Sequence, residues 1–239
     1  MASPTVATTN STSISVAADP WGTVNLPASI AAGDLLVVFG RTGGAQTFNL
    51  PTGWNWAIQN DVSDANDDAT SVIYKVANGG EGASFSWDMS GSAKGASIAY
   101  RIAGHNGGFQ VIPTPTTFTT AANSADPPTT GTIPSDDYLI IVFAGCDGES
   151  VTFTAPTNYG SIINQNSGTG GAVATNCRIA SAVRSPTGIT SEDPGTFTHG
   201  ATAIGGTAIT LAIRQLVTVS AQFKRHRQGF QAVNRGANW

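Results

Sequence analysis

Asp34-Leu35-Leu36-Val37-Val38-Phe39 and Asp137-Tyr138-Leu139-Ile140-Ile141-Val142 are two versions of one phrase. Each is an acidic residue followed by an apolar run with the length of a buried strand, and Gly33 and Gly40 bound the first. Other pairs follow in the same order. Thr47-Phe48-Asn49-Leu50-Pro51-Thr52-Gly53-Trp54 answers to Thr152-Phe153-Thr154-Ala155-Pro156-Thr157-Asn158-Tyr159. Ile98-Ala99-Tyr100-Arg101 answers to Leu211-Ala212-Ile213-Arg214. The offset grows from 103 to 105 to 113, as loop insertions between fixed strands would make it. The chain reads as two copies of one β unit, whose function lies in surfaces and assembly rather than in one catalytic pocket.

The rest of the sequence fits that frame. Short strands are predicted at Ser13–Val16, Ser71–Val76, Gly95–Ile102, Asn176–Val183 and Ile204–Arg214, separated by Gly, Pro and Asn turns. No stretch before residue 215 carries a capped helical period. The proline-rich residues 113–135 read as part linker and part edge strand, because proline cannot donate to a central ladder. The expected fold is all-β: two tandem antiparallel β-sandwich (jelly-roll-like) units related by internal duplication, at residues 1–112 and 113–216, plus a basic C-terminal arm at 217–239.

Charged residues are only 11% of the chain, which suits a β-rich protein partly covered by neighbours. The charge is uneven. Residues 1–214 hold seven Lys and Arg against all fifteen acids, whereas residues 215–239 hold Lys224, Arg225, Arg227 and Arg235 with no acid. A basic arm on an acidic body points to an acidic partner surface. Phe223, Lys224, Arg225, Arg227, Phe230, Arg235 and Trp239 are therefore the candidate partner-binding residues. Four charges would bind nucleic acid weakly, so nucleic acid is not the expected partner. Met1–Thr5 has no basic n-region or following apolar stretch, and no run approaches a membrane helix; a soluble protein made in a cytoplasm is expected.

The chemistry-bearing residues do not assemble into a motif. Asp64, Asn66 and Asp68 match the first ligand positions of an EF-hand loop, but Ala69 replaces the turn glycine and Lys75 the bidentate glutamate. Another kind of calcium loop over Asp61–Asp68 stays open. His105, His199 and His226 lie in separate segments and read as surface histidines. Cys146 and Cys177 read as buried free thiols. No Gly-x-Ser-x-Gly elbow occurs, and the acids Asp88, Asp147 and Glu149 have no separation readable from sequence. Trp21, Trp54, Trp56 and Trp87 read as core, with one of Trp54 and Trp56 turned outward. No catalytic residue, metal or cofactor is expected.

Ala32–Val38, Pro51–Trp54, Tyr74–Ala77, Phe85–Trp87 and Ile98–Arg101 together carry a resemblance. This succession resembles the β-sandwich modules of structural proteins of tailed bacteriophages, including decoration and fibre-associated proteins. It covers residues 14–104, and more weakly 130–214, where Asn158-Tyr159 replaces Gly53-Trp54. The resemblance implies a non-enzymatic virion protein made in the host cytoplasm. Within that class it favours a capsid decoration, or cement, protein that binds major capsid or other virion proteins as a homo-oligomer, a trimer being one form. The alternatives are a tail or fibre component and a carbohydrate-binding adhesin with exposed aromatic side chains.

Overall fold

The computed structural model describes residues 3–61, 68–118, 124–148, 151–168, 175–199 and 205–216. Among them there is no α-helix. The first half comprises β1 (Thr5–Ala18), β2 (Trp21–Asn25), β3 (Leu35–Gly43), β4 (Asn55–Asp61), β5 (Thr70–Val76), β6 (Ser84–Trp87) and β7 (Ala93–Ala103). The second comprises β8 (Thr116–Phe118), β9 (Ser124–Ala125), β10 (Tyr138–Asp147), β11 (Phe153–Thr154), β12 (Gly160–Asn166), β13 (Cys177–Arg184), β14 (Phe197–His199) and β15 (Gly206–Arg214).

Every pairing within the sheets is antiparallel, and the pairings nest. β1 pairs with β7, β2 with β6, and β3 with β5, around β4. In the second half β8 pairs with β15, β9 with β14, and β10 with β13, around β12. This is the connectivity of a hairpin rolled on itself, as in a jelly roll. Each half builds a five-stranded sheet, β1-β7-β3-β5-β4 or β8-β15-β10-β13-β12. Each also builds a small sheet, β2-β6 or β11-β14-β9. The duplication thus holds strand for strand among the described residues; β11, whose Phe153 pairs with His199, answers to the single bridge between Phe48 and Met89 in the first half.

The two large sheets pack face to face, so four layers of sheet form three cores. The outer cores lie inside each half. One gathers Trp21, Leu36, Val38, Phe48, Ile73 and Trp87, the other Phe118, Tyr138, Ile140, Val142, Phe153 and Phe197. The central core joins the halves. Leu35, Val37, Phe39, Ile98 and Tyr100 meet Leu139, Ile141, Phe143, Ile179 and Leu211 there. A strand buried on both faces reads as a continuous apolar run, and β3 and β10 show only buried positions. Gly40 sits where a Cβ would come 2.6 Å from Trp87, so its bare backbone admits the indole.

Two sequence details resolve physically. The repeated turns superpose in geometry: Trp54 N–H donates to Pro51 C=O and Tyr159 N–H to Pro156 C=O, both at 3.1 Å. The third residue has positive φ in each, +80° at Gly53 and +69° at Asn158. Asparagine is the side-chain-bearing residue best suited to that conformation, so the exchange keeps the turn. Gly53→Ala is expected to cost about 1 kcal/mol and Asn158→Gly almost nothing, read from urea midpoints. Trp54 and Trp56, by contrast, do not divide between core and solvent. Residues two apart on a strand share a face, and both pack on the outer core of the first half.

Candidate functional site

The inward rows of β3 and β10 end in charge. Arg41 continues the series Leu35, Val37, Phe39, and Asp147 the series Leu139, Ile141, Phe143. Alternation therefore carries both side chains into the central core at the same end of the sandwich. The Arg41 guanidinium donates to Asp147 Oδ1 at 2.9 Å and to Thr70 Oγ1 at 2.8 Å. Asp68 Oδ2 lies 3.6 Å away, and its other oxygen accepts the Gly44 N–H. All three charged side chains are fully buried. Gly145, on the facing strand, leaves the room: a Cβ there would stand 2.8 Å from Arg41 Cδ. Thr70 and Asp68 come from the first half and Asp147 from the second, so the arginine joins the two.

A sealed ionic cluster cannot receive a substrate, but it can fix how two sheets meet. A misaligned packing would bury the arginine or a carboxylate without its partner, at several kcal/mol. Other ties cross the same plane. Tyr100 Oη and Ser181 Oγ share a 2.6 Å hydrogen bond, the Cys177 thiol donates to Arg41 C=O, and the Phe39 ring packs tilted against Phe143 at 4.5 Å.

A second constellation occurs twice. In the first half Lys75 Nζ lies 5.7 Å from the Trp54 ring and 2.9 Å from Glu81 Oε1. In the second, Glu192 accepts from Tyr159 Oη at 2.9 Å and from Arg184 at 2.5 Å. Each clasp ties the aromatic of the repeated turn to a base at the end of the neighbouring strand and an acid in the next loop. Burial works against ionisation of Glu81, but the Asn78 and Gly79 N–H groups and the Lys75 ammonium outweigh it and bring its pKa down to about 2.

The strand beginnings hold a third pair. Arg101 Nε donates to Asp34 at 2.6 Å, and Arg214 Nε to Asp136 at 2.5 Å. Beside the first, His105 is not a surface residue: it is 7% exposed. Its Nδ1 accepts from Gly107 N–H and its Nε2 meets Gly33 C=O, each at 2.8 Å, which sets the Nε2-protonated neutral tautomer. Burial lowers its pKa below 6.5 against the pull of the Gly33 carbonyl and Asp34. The folded state binds this proton less well than the unfolded chain, so stability is complete above pH 6.5 and declines as pH falls below it. His105→Gln is expected to flatten that decline in melting curves taken between about pH 7 and about pH 5. His199 is buried too, between the Phe118 and Phe153 rings, so it also departs from the surface expectation.

The cysteines lie on adjacent strands but on opposite faces of one sheet. Cys146 belongs to the outer core of the second half and Cys177 to the central core. They are free and buried, and burial pushes the Cys146 thiol up to about 12 and Cys177 well above its usual range. Both should resist a thiol reagent in the native protein and react once it is unfolded. Rapid labelling at pH 8 before unfolding would contradict this placement.

The remaining candidates divide. Phe223, Lys224, Arg225, Arg227, Phe230, Arg235 and Trp239 lie outside the described residues, as do Asp64, Asn66, Glu149 and His226. Asp68 is committed inside the ionic cluster rather than offered to a calcium ion. Trp21, Trp54 and Trp87 are buried and Trp56 is half-buried, leaving none of the four as an exposed platform. A groove of about 400 Å³ runs between Asn10, Leu26, Ile30 and Glu81. Two of its polar side chains are already engaged, Asn10 with Leu26 C=O and Glu81 within its clasp. Among the described residues no group of three His, Cys, Asp or Glu is placed to hold a metal.

Sequence reasoning missed the ionic cluster, although Arg41 closing an apolar strand was its signal. Fold and interior define the chain as an all-β protein built of two duplicated sandwich units. Compared with known proteins, it matches no family model, no curated protein and no solved structure.

Proposed function

We propose that the chain is a non-enzymatic structural protein of a tailed-phage virion, a decoration protein that binds the outside of the capsid. The observation that supports this reading is the union of the halves. A shared apolar core and the Arg41–Asp147 ion pair make one stiff block of two similar modules. A protein that braces a lattice has to pass load between neighbours without hinging, and two sandwiches on a free linker would hinge. The surface chemistry is compatible with such a task. Arg41, Lys75, Arg101, Arg184 and Arg214 are held in internal ion pairs, and with fifteen acids against seven cations in residues 1–214 the body is acidic towards the basic residues after 214.

The test mixes the purified protein with undecorated capsids and, separately, with bacterial surface glycans. Saturable binding to capsids is expected, weakened when residues 222–239 are deleted while the melting temperature is unchanged. Saturable binding to glycans alone would replace this reading with that of an adhesin.

A further inference from the structure

We infer that β1 is a self-association edge, and that two copies of this chain join by antiparallel β1–β1 pairing centred on Ser11. β1 is an outer strand fourteen residues long. Exposed edges are normally blunted by charge, by proline or by bulges; Thr5–Ala18 contains no charge and no proline, and its two bulges leave the stretch between them unprotected. Its described pairing is with β7 alone. The Ser11 N–H points away from β7, because it is taken at 2.8 Å by the side-chain oxygen of its own neighbour Asn10. By strand alternation the backbone groups of Thr9 and Ser13 point the same way. Asn10 thus does for one donor what a second strand would do for the row.

The pairing register of β1 has a centre. β-Bulges interrupt it between Val6 and Thr8 and again between Ile14 and Ala18. Between them Thr8–Ile14 is regular, and its middle residue is Ser11. A two-fold axis through Ser11 sets Thr9 opposite Ser13 of the partner, and Asn10 opposite Thr12. All are uncharged, and Thr9 and Ser13 are exposed, whereas the side chains of Asn10 and Thr12 are held within the chain by Leu26 C=O and Asn25 N–H, so the cross-strand side-chain contacts fall to the Thr9–Ser13 pairs. A charged strand could not face itself in this way without repulsion.

The flank fits a second copy as well. Ser11 Oγ donates to Gln165 Oε1, which places β12 on the same side of the molecule. β12, Gly-Ser-Ile-Ile-Asn-Gln-Asn, is likewise an uncharged outer strand. Val16 at 73% and Ile162 at 38% are exposed large hydrophobics on these two strands. A two-fold contact is the simplest closed way to cover both edges at once. The contact concerns the purified chain and holds whether or not it binds capsids.

Sedimentation velocity on the full chain over a concentration series tests it. The wild type is expected to dimerise. Thr9→Lys with Ser13→Lys sets ammonium groups opposite one another and should raise the dimer dissociation constant about tenfold or more. Thr9→Lys with Ser13→Glu sets opposite charges across the axis and should keep the dimer. Both positions are exposed, although Ser13 Oγ lies beside Gly168, so the two double variants, which share that site, should have melting temperatures that match each other. A wild type monomeric at every concentration would overturn the inference. So would a monomer that dimerises only when residues 217–239 are removed, since its own chain would then cover the edge. Equal behaviour of the two double variants would overturn the register and the axis with it.

Discussion

An Arg41→Met protein is expected to lose about 3–5 kcal/mol of stability. Methionine fills much of the same space, so lost packing is a small part of the effect. The large part is what stays behind: Asp147 and Asp68, fully buried, with the cation between them gone. Carboxylates so placed relieve the strain by taking up a proton, which raises their folded pKa above the unfolded value. A raised carboxyl favours the folded state at low pH, so the deficit should narrow as pH falls from about 7 towards about 5. Adding Asp68→Asn and Asp147→Asn keeps the shape and an acceptor for Gly44 N–H while removing both charges. That triple variant should recover much of the loss, because no uncompensated charge stays buried, and the two buried amide NH2 groups keep it short of the wild type. Urea titrations across this pH range measure all of it. A loss below about 1 kcal/mol for the single variant would mean that water reaches the cluster and that it does not set the packing of the halves.

How much of this was legible beforehand depends on which neighbour a residue has. The strands β3 and β10 were legible because their apolar runs are unbroken between turn residues. The repeated turn was legible because Pro-Thr-Gly-Trp and Pro-Thr-Asn-Tyr use the two residue types that accept positive φ. The pairing of Arg101 with Arg214 was legible as well, and both arginines do bond an acid at the start of the central strand. The second bond goes to Asp136, however, and Asp137 instead accepts from Ser3 and Gly188. The stacking of the halves was not legible. Leu35, Val37 and Phe39 look the same in sequence whether they cover a small sheet of their own half or a large sheet of the other. Arg41 was hidden for a similar reason, because a basic residue closing a strand is ordinarily its solvent end. Only the row of β10, with Gly145 opposite, turns that position into an interior one.

A Phe143→Ala protein is the direct test of the shared core. Phe143 is fully buried, its ring 4.5 Å from Phe39 and 6.0 Å from Tyr100, both in the other half. Its removal leaves a cavity bounded by β-sheet on two sides, which can collapse little, so a loss of about 3–5 kcal/mol is expected. The tryptophans make the reading specific. Trp21, Trp54, Trp56 and Trp87 all belong to the first half, and the substitution is in the second. In a Trp239→Phe background their emission reports the first half alone. If the central core couples the halves, the tryptophan transition in urea shifts as far as the far-ultraviolet circular dichroism does, and both stay single and coincident. If each sandwich stands by itself, the tryptophan transition stays where it was while part of the circular dichroism signal moves to lower urea. The same split would remove the stiffness on which the capsid reading rests, because a block that melts by halves also bends between them.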